Sequence, residues 1–219
     1  MKLLKSLTAA AAAAAAILVC TGAAQAALVA RPGGMVYDTV QNITWLQDWN
    51  TNGLMNWTTA NAWANNLVYG GFDDWRLPTT NTTVSSNCAA DFNPGGGFPL
   101  QYFGFNCTGS EMGHMFYNEF GATAGNSILT GSNAANLALF SNVQSLGYWS
   151  GTEYAPDPGL AWVFGTDSGF QGVGGKTNGL YAVAVRPGDV AASVPEPQTL
   201  ALALLALGAT MVVRRRRPV

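Results

Sequence analysis

The chain has 219 residues, of which 48% are apolar and 10% charged, with seven tryptophans, three cysteines and a single histidine. Its formal charge of −2 conceals a split: six of the ten basic residues lie at the two ends, leaving Arg31, Arg76, Lys176 and Arg186 against eleven acidic residues in between, a net charge of −7. That balance lacks the basic footprint of a nucleic-acid-binding protein, and one histidine with no Cys-X-X-Cys pair falls short of the usual zinc-site spacings.

The first element is a targeting segment. Lys2 and Lys5 precede an alanine-rich run to Val19, and Ala24-Gln25-Ala26 supplies small residues for a signal peptidase, so residues 1–26 are predicted to be a cleaved secretory signal with maturation near Ala27. Residues 27–193 then form one domain of about 165 residues. "MVYDTVQNITWLQDWN", with Asp38 and Asn42 as turn formers, predicts a short hairpin. Thr58 is placed as the cap of a helix carrying Ala60, Trp63, Ala64 and Leu67 at helical spacing, Trp63 and Leu67 turned inward, with Gly70-Gly71 ending it.

Pro78 in "GFDDWRLP" forbids a continuing helix and favours an extended Leu77. From Asn81 to Gly109 the chain is rich in Asn, Thr, Gly and Pro, with Cys88 and Cys107 near its limits. Export places this pair in an oxidising compartment, so a disulfide is predicted, stapling the loop by about 3 kcal/mol on the chain-entropy model. Ser110 caps a second helix with Met112, Met115, Phe116 and Phe120 on its apolar side, stopped by Gly121. "YWSGTEY", "LAWVFGTDSG" and "LYAVAVRPGD" predict three late strands, the last placing Ala182, Ala184 and Arg186 on one face and Tyr181, Val183 and Val185 on the other. Two early helices and a late antiparallel sheet make an α+β domain.

Residues 194–219 open with Val194, Pro195, Glu196 and Pro197, continue with an apolar run and close with Arg214, Arg215, Arg216 and Arg217. Leu200 to Val213 would form about 21 Å of helix against a hydrocarbon core of roughly 30 Å, a transmembrane helix short enough to be a poor permanent anchor. The arginines would hold its end on the cytoplasmic side, leaving residues 27–194 outside the inner membrane.

"VYDTVQNITWLQD", "ANAWANNL", "GFDDWRLPT", "YWSGTEY", "AWVFGTDSG" and "YAVAVRPGD" together resemble the Lcl C-terminal domain family, across roughly Arg31 to Asp189. The resemblance implies a C-type-lectin-like fold and, from the collagen-like adhesin that names the family, binding of surface glycans. The terminal segment is similar to a PEP-CTERM sorting signal, which implies processing by an exosortase, a transient inner-membrane anchor, and a final place at the cell surface or outside the cell. The related formylglycine-generating enzymes share the lectin-like fold, but their active-site cysteine pair has no counterpart here.

Within the domain, Trp75, Arg76, Leu77 and Pro78 form the most specific block. Arg76 is read either as a ligand-binding residue or, as its large apolar neighbours favour, as half-buried and paired with Asp73 or Asp74. His114 has Glu111 three residues before it and Glu119 five after. A metal half-site is conceivable, yet on an α-helix Glu119 lies off the face that Glu111 shares with His114, which favours packing or surface placement. No GxSxG or HExxH pattern marks a nucleophile or a zinc protease. Ligand contact is therefore assigned to the late sheet and its turns, at Trp149, Glu153, Tyr154, Asp157, Trp162 and Asp167. Ring faces there suit the apolar face of a pyranose and carboxylates its hydroxyls, and calcium is left open as a bridge between the two. The expected function is non-enzymatic: an exported surface or matrix protein for adhesion or exopolysaccharide association, with a neutral glycan or a surface protein as partner. An enzyme acting on envelope polysaccharide and a purely structural surface protein are the alternatives.

Overall fold

The computed structural model describes residues 27–82 and 88–190. The predicted secretory signal, the Pro195–Pro197 motif, the apolar run and the arginine cluster all lie outside the described residues. Among the described residues no helix is long and apolar enough to cross a membrane.

The chain begins with β1 (Leu28–Arg31), β2 (Met35–Asp38) and β3 (Ile43–Leu46), an antiparallel meander. The predicted hairpin is β2–β3, and its four-residue turn is built as foreseen. Asp38 Oδ1 accepts the backbone N–H groups of Val40 and Gln41 at 2.9 and 3.0 Å, and Asn42 takes a positive φ of 54°, the local bonding that makes Asp and Asn turn residues. Helix α1 (Trp57–Asn65) is capped by Asn56, whose Oδ1 accepts from Thr59 N at 2.9 Å, rather than by Thr58. It seats Ala60 and Ala64 against the core, with Trp63 and Leu67 only half-buried. Small side chains let the helix approach closely, which pushes the larger ones to the rim of the contact.

The loop after Pro78 carries a small hairpin, β4 (Ala90–Phe92) and β5 (Gln101–Phe103), closed by a disulfide between Cys88 and Cys107. Helix α2 (Glu111–His114) follows and widens into a π-helical turn, Met115–Glu119, in which Phe120 N bonds to Met115 O five residues back. Met112, Met115, Phe116 and Phe120 are buried as the spacing predicts, and Gly121 ends the segment at φ 61°. A 3₁₀ turn (Ile128–Thr130) and a one-turn helix α3 (Ala134–Leu137) lead to the last sheet.

That sheet is β6 (Gly147–Glu153), β7 (Leu160–Gly165) and β8 (Phe170–Gly175), antiparallel in this order. Its third strand is the glycine-rich segment after Gly169, not the alternating "YAVAVR". In the latter only Val185–Pro187 is a strand, β9, and it pairs with β3 to complete a four-stranded sheet ordered β1-β2-β3-β9. Residues 182–185 are all buried, so their alternation separates two covered faces rather than core from solvent. The architecture is thus a mixed, mostly antiparallel α+β domain. Its centre is aromatic: Trp49 stacks on Trp45 at 5.6 Å and meets Phe120, Phe140 and Tyr148 edge-on or tilted, geometries that suit ring quadrupoles.

Candidate functional site

The late aromatic residues expected to meet a ligand are interior. Trp149 and Trp162 are 0% exposed and Tyr154 is 7% exposed. The stapled loop is the reason for two of them, because Phe103 lies 4.5 Å from the Trp162 ring and 6.1 Å from Tyr154. Gly104 exchanges both backbone hydrogen bonds with Gln171, fixing the loop along β8. Trp149 is held by its indole N–H, which donates to Met55 O at 2.8 Å. Glu153 is exposed and pairs with Lys176, whose ammonium sits 4.1 Å above the Trp57 ring. Asp157 is turned into its own loop, accepting Gly159 N at 2.8 Å.

Asp167 borders a groove. The groove measures about 350 Å³ and is lined by Gly147, Val163, Gly165, Asp167, Ser168, Phe170, Gly172 and Val173. Glycine makes it: a Cβ on Gly172 would stand 2.7 Å from Phe170 Cε1, and one on Gly165 would stand 2.7 Å from Asp167 Oδ1. Without those methyl groups the Phe170 ring lies low along the sheet, 43% exposed and braced edge-on by Phe105 at 5.3 Å. A smaller cleft of about 150 Å³ lies among Leu46, Asp48, Thr51, Trp63, Leu67 and Tyr69.

The block Trp75 to Pro78 joins three parts of the fold. Trp75 and Leu77 are buried, Arg76 exchanges two backbone bonds with Val185, and Pro78 O accepts from Ser150 Oγ and Gly151 N, each at 2.9 Å. Arg76 pairs with neither Asp73 nor Asp74. Its guanidinium forks onto Glu111 at 2.7 and 2.8 Å, and Glu111 Oε2 also accepts Thr79 N at 2.6 Å. Asp74 belongs to Arg186, at 2.7 and 3.0 Å, with Arg186 stacked 3.9 Å over Phe72. Arg31 pairs with Asp189 at 2.7 Å. All four basic residues of the described segments are therefore ion-paired. Lys176 follows β8 and pairs with Glu153, whereas Arg186 lies in β9 of the other sheet and pairs with Asp74.

A second polar constellation is buried away from both clefts. Asp38, at the end of β2, and Glu119, at the end of the π turn, are 0% and 5% exposed and flank His114. His114 Nε2 lies 3.0 Å from Glu119 Oε1 and 3.8 Å from Asp38 Oδ2, and the three ligand-type atoms lie within 4.8 Å of one another. On an α-helix five residues would turn Glu119 about 140° from His114; the π turn brings it back. Burial, and next the neighbouring Asp38 charge, push the Glu119 carboxyl above its usual range against the pull of His114.

The family model for the Lcl C-terminal domain matches residues 34–186, over two thirds of the chain. The chain belongs to the Lcl C-terminal domain family. Neither a curated protein nor a solved structure matches it. The matched stretch of this Lcl C-terminal domain contains the groove, the Trp75–Pro78 block, both cysteines and the Asp38, His114 and Glu119 constellation. Phe170 and Gly172 escaped the sequence reading because β8 was not foreseen, although "SGFQGVGG" alternates glycine with larger residues in the manner of a strand with one bare face. Asp38 was visible only as a turn former, and no spacing rule couples it to a helix 76 residues later.

Proposed function

We propose that this chain is an exported, exosortase-processed surface or matrix protein whose lectin-like domain binds a neutral saccharide, serving adhesion or association with exopolysaccharide. The observation that carries the reading is the groove over β6–β8, where an exposed Phe170 ring lies on a glycine floor beside Asp167 and Ser168. A ring face takes the apolar side of a pyranose, and a carboxylate and a hydroxyl take its hydroxyl groups. A net charge of −7 and four paired cations support a neutral ligand over a sulfated one. The competing enzymatic reading calls for titratable groups converging in a pocket. Glu119 is displaced in the required sense, but neither it, His114 nor Asp38 lines either cleft.

The test is a glycan array on the purified protein, with and without calcium. Neutral saccharides bound by the native protein and lost in Phe170→Ala are expected. Loss in Tyr69→Ala with Phe170→Ala unchanged would move the site to the smaller cleft, and absence of any glycan binding would count against the reading. Processing is tested separately, by intact-mass measurement showing that protein from the exterior of the native host lacks Arg214 to Arg217.

A further inference from the structure

We propose that Asp38 Oδ2, His114 Nε2 and Glu119 Oε1 bind one divalent transition-metal ion of the zinc class. This is independent of the saccharide reading, since none of the three residues lines the groove. Asp38 is fully buried, and its Oδ1 is occupied by the two N–H groups of its turn, but Oδ2 has no hydrogen-bond partner and points toward His114 Nε2 at 3.8 Å. Buried carboxylate oxygens ordinarily keep a donor or a cation. Among the described residues the arginines and the lysine pair with other acids, so neither carboxylate of the trio has one of them as its partner. A divalent ion with neutral imidazole balances the two carboxylates.

The geometry suits a small ion. Two donors about 2.1 Å from a tetrahedral centre stand about 3.4 Å apart; the two separations from His114 Nε2, 3.0 and 3.8 Å, lie on either side of that value, and all three atoms are within 4.8 Å of one another. An imidazole nitrogen with two carboxylate oxygens fits zinc and its neighbours, whereas calcium takes six to eight oxygens. A ligating Nε2 presents its lone pair to the ion, so in the bound form the neutral imidazole carries its proton on Nδ1. The ligands are also braced. Asn136 Nδ2 donates to Glu119 Oε2 at 3.2 Å and to its backbone O at 2.9 Å, the outer-partner arrangement that aims metal ligands. A coordination position remains for water.

The π turn gives the strongest indication. Such turns are rare and recur at functional sites, and this one places Glu119 within reach of His114, which α geometry would not. The ion would tie the β2–β3 turn to helix α2 and, through Asn136, to α3.

The experiment uses the untagged full-length protein, stripped with chelator and re-equilibrated with Zn²⁺. One bound equivalent by elemental analysis is expected, retained by the surface variant Asp73→Asn. Affinity should fall by about a hundredfold or more in Glu119→Gln and Asp38→Asn, because outer partners alone account for about 10–100-fold; Asn136→Ala should lose about tenfold. The chain has one histidine, so its imidazole resonances report on His114 alone and answer the question even where a variant fails to fold. They should shift on addition of one equivalent of Zn²⁺ to the native protein. Resonances unmoved by excess Zn²⁺, or one equivalent still bound at native affinity in a folded Glu119→Gln variant, would overturn the proposal.

Discussion

Reduction of the Cys88–Cys107 disulfide is the perturbation with the widest structural reach. The bond closes a loop of 18 intervening residues, whose chain-entropy value is about 3 kcal/mol. At about 2–4 °C per kcal/mol for a domain of this size, the midpoint of thermal unfolding should fall by about 6–12 °C. The loop has other fastenings: the β4–β5 pairing, the Gly104–Gln171 exchange, and Gln171 itself, which accepts from Ser110 Oγ at 2.6 Å and donates to Tyr102 O at 2.9 Å. If these hold, the reduced protein unfolds cooperatively at the lower temperature. If they yield first, Phe103 leaves the Trp162 ring and that indole becomes accessible below the transition. Scanning calorimetry with and without reductant, paired with acrylamide quenching compared against Trp162→Phe, separates the two. A midpoint lowered by less than about 2 °C, smaller than 1 kcal/mol would produce, with quenching unchanged, would refute the stapling argument.

A double-mutant cycle on Arg76→Met and Glu111→Gln should return a coupling of about 1–2 kcal/mol in urea unfolding, toward the upper part of the range for a bidentate pair whose carboxylate is 16% exposed; coupling within error of zero would deny the pair a role in joining α2 to the Trp75–Pro78 block. Hydrogen bonds from Arg186 and Arg31 hold the carboxyls of Asp74 and Asp189 below their usual range. Their stabilisation is therefore complete above the ordinary carboxyl pKa and lost as pH falls through the lower folded-state values, so Asp74→Asn with Asp189→Asn should flatten the acid limb of a stability–pH profile and leave an unaltered slope only if the pairs are absent in solution. Because every described cation is already paired, a fragment of residues 27–194, without the arginine cluster, should elute from heparin below about 0.3 M salt, where screening removes weak surface attraction; later elution would point to a polyanion site.

What the sequence alone determined was local. Asp38 and Asn42 shape the β2–β3 turn through bonds to their own neighbourhood, the apolar spacing of Met112, Met115, Phe116 and Phe120 declares a helix face, and two cysteines near the limits of a turn-rich loop declare a staple. Everything that rests on distant pairing was decided by tertiary structure. Val185–Pro187 joins β3 across about 140 residues rather than the nearer late strands, and Arg76 finds Glu111 rather than the adjacent acids because its β-bridge with Val185 accompanies a side chain aimed at helix α2. Tyr154 and Trp162 read as ligand-facing because carboxylates neighbour these rings along the chain. They are covered because the stapled loop, whose path no periodicity encodes, lays Phe103 over them. Glu119 reaches His114 because of a π turn that helical spacing cannot anticipate: residue order dictates which groups are close along the chain, but the hydrogen-bond register dictates which face they share.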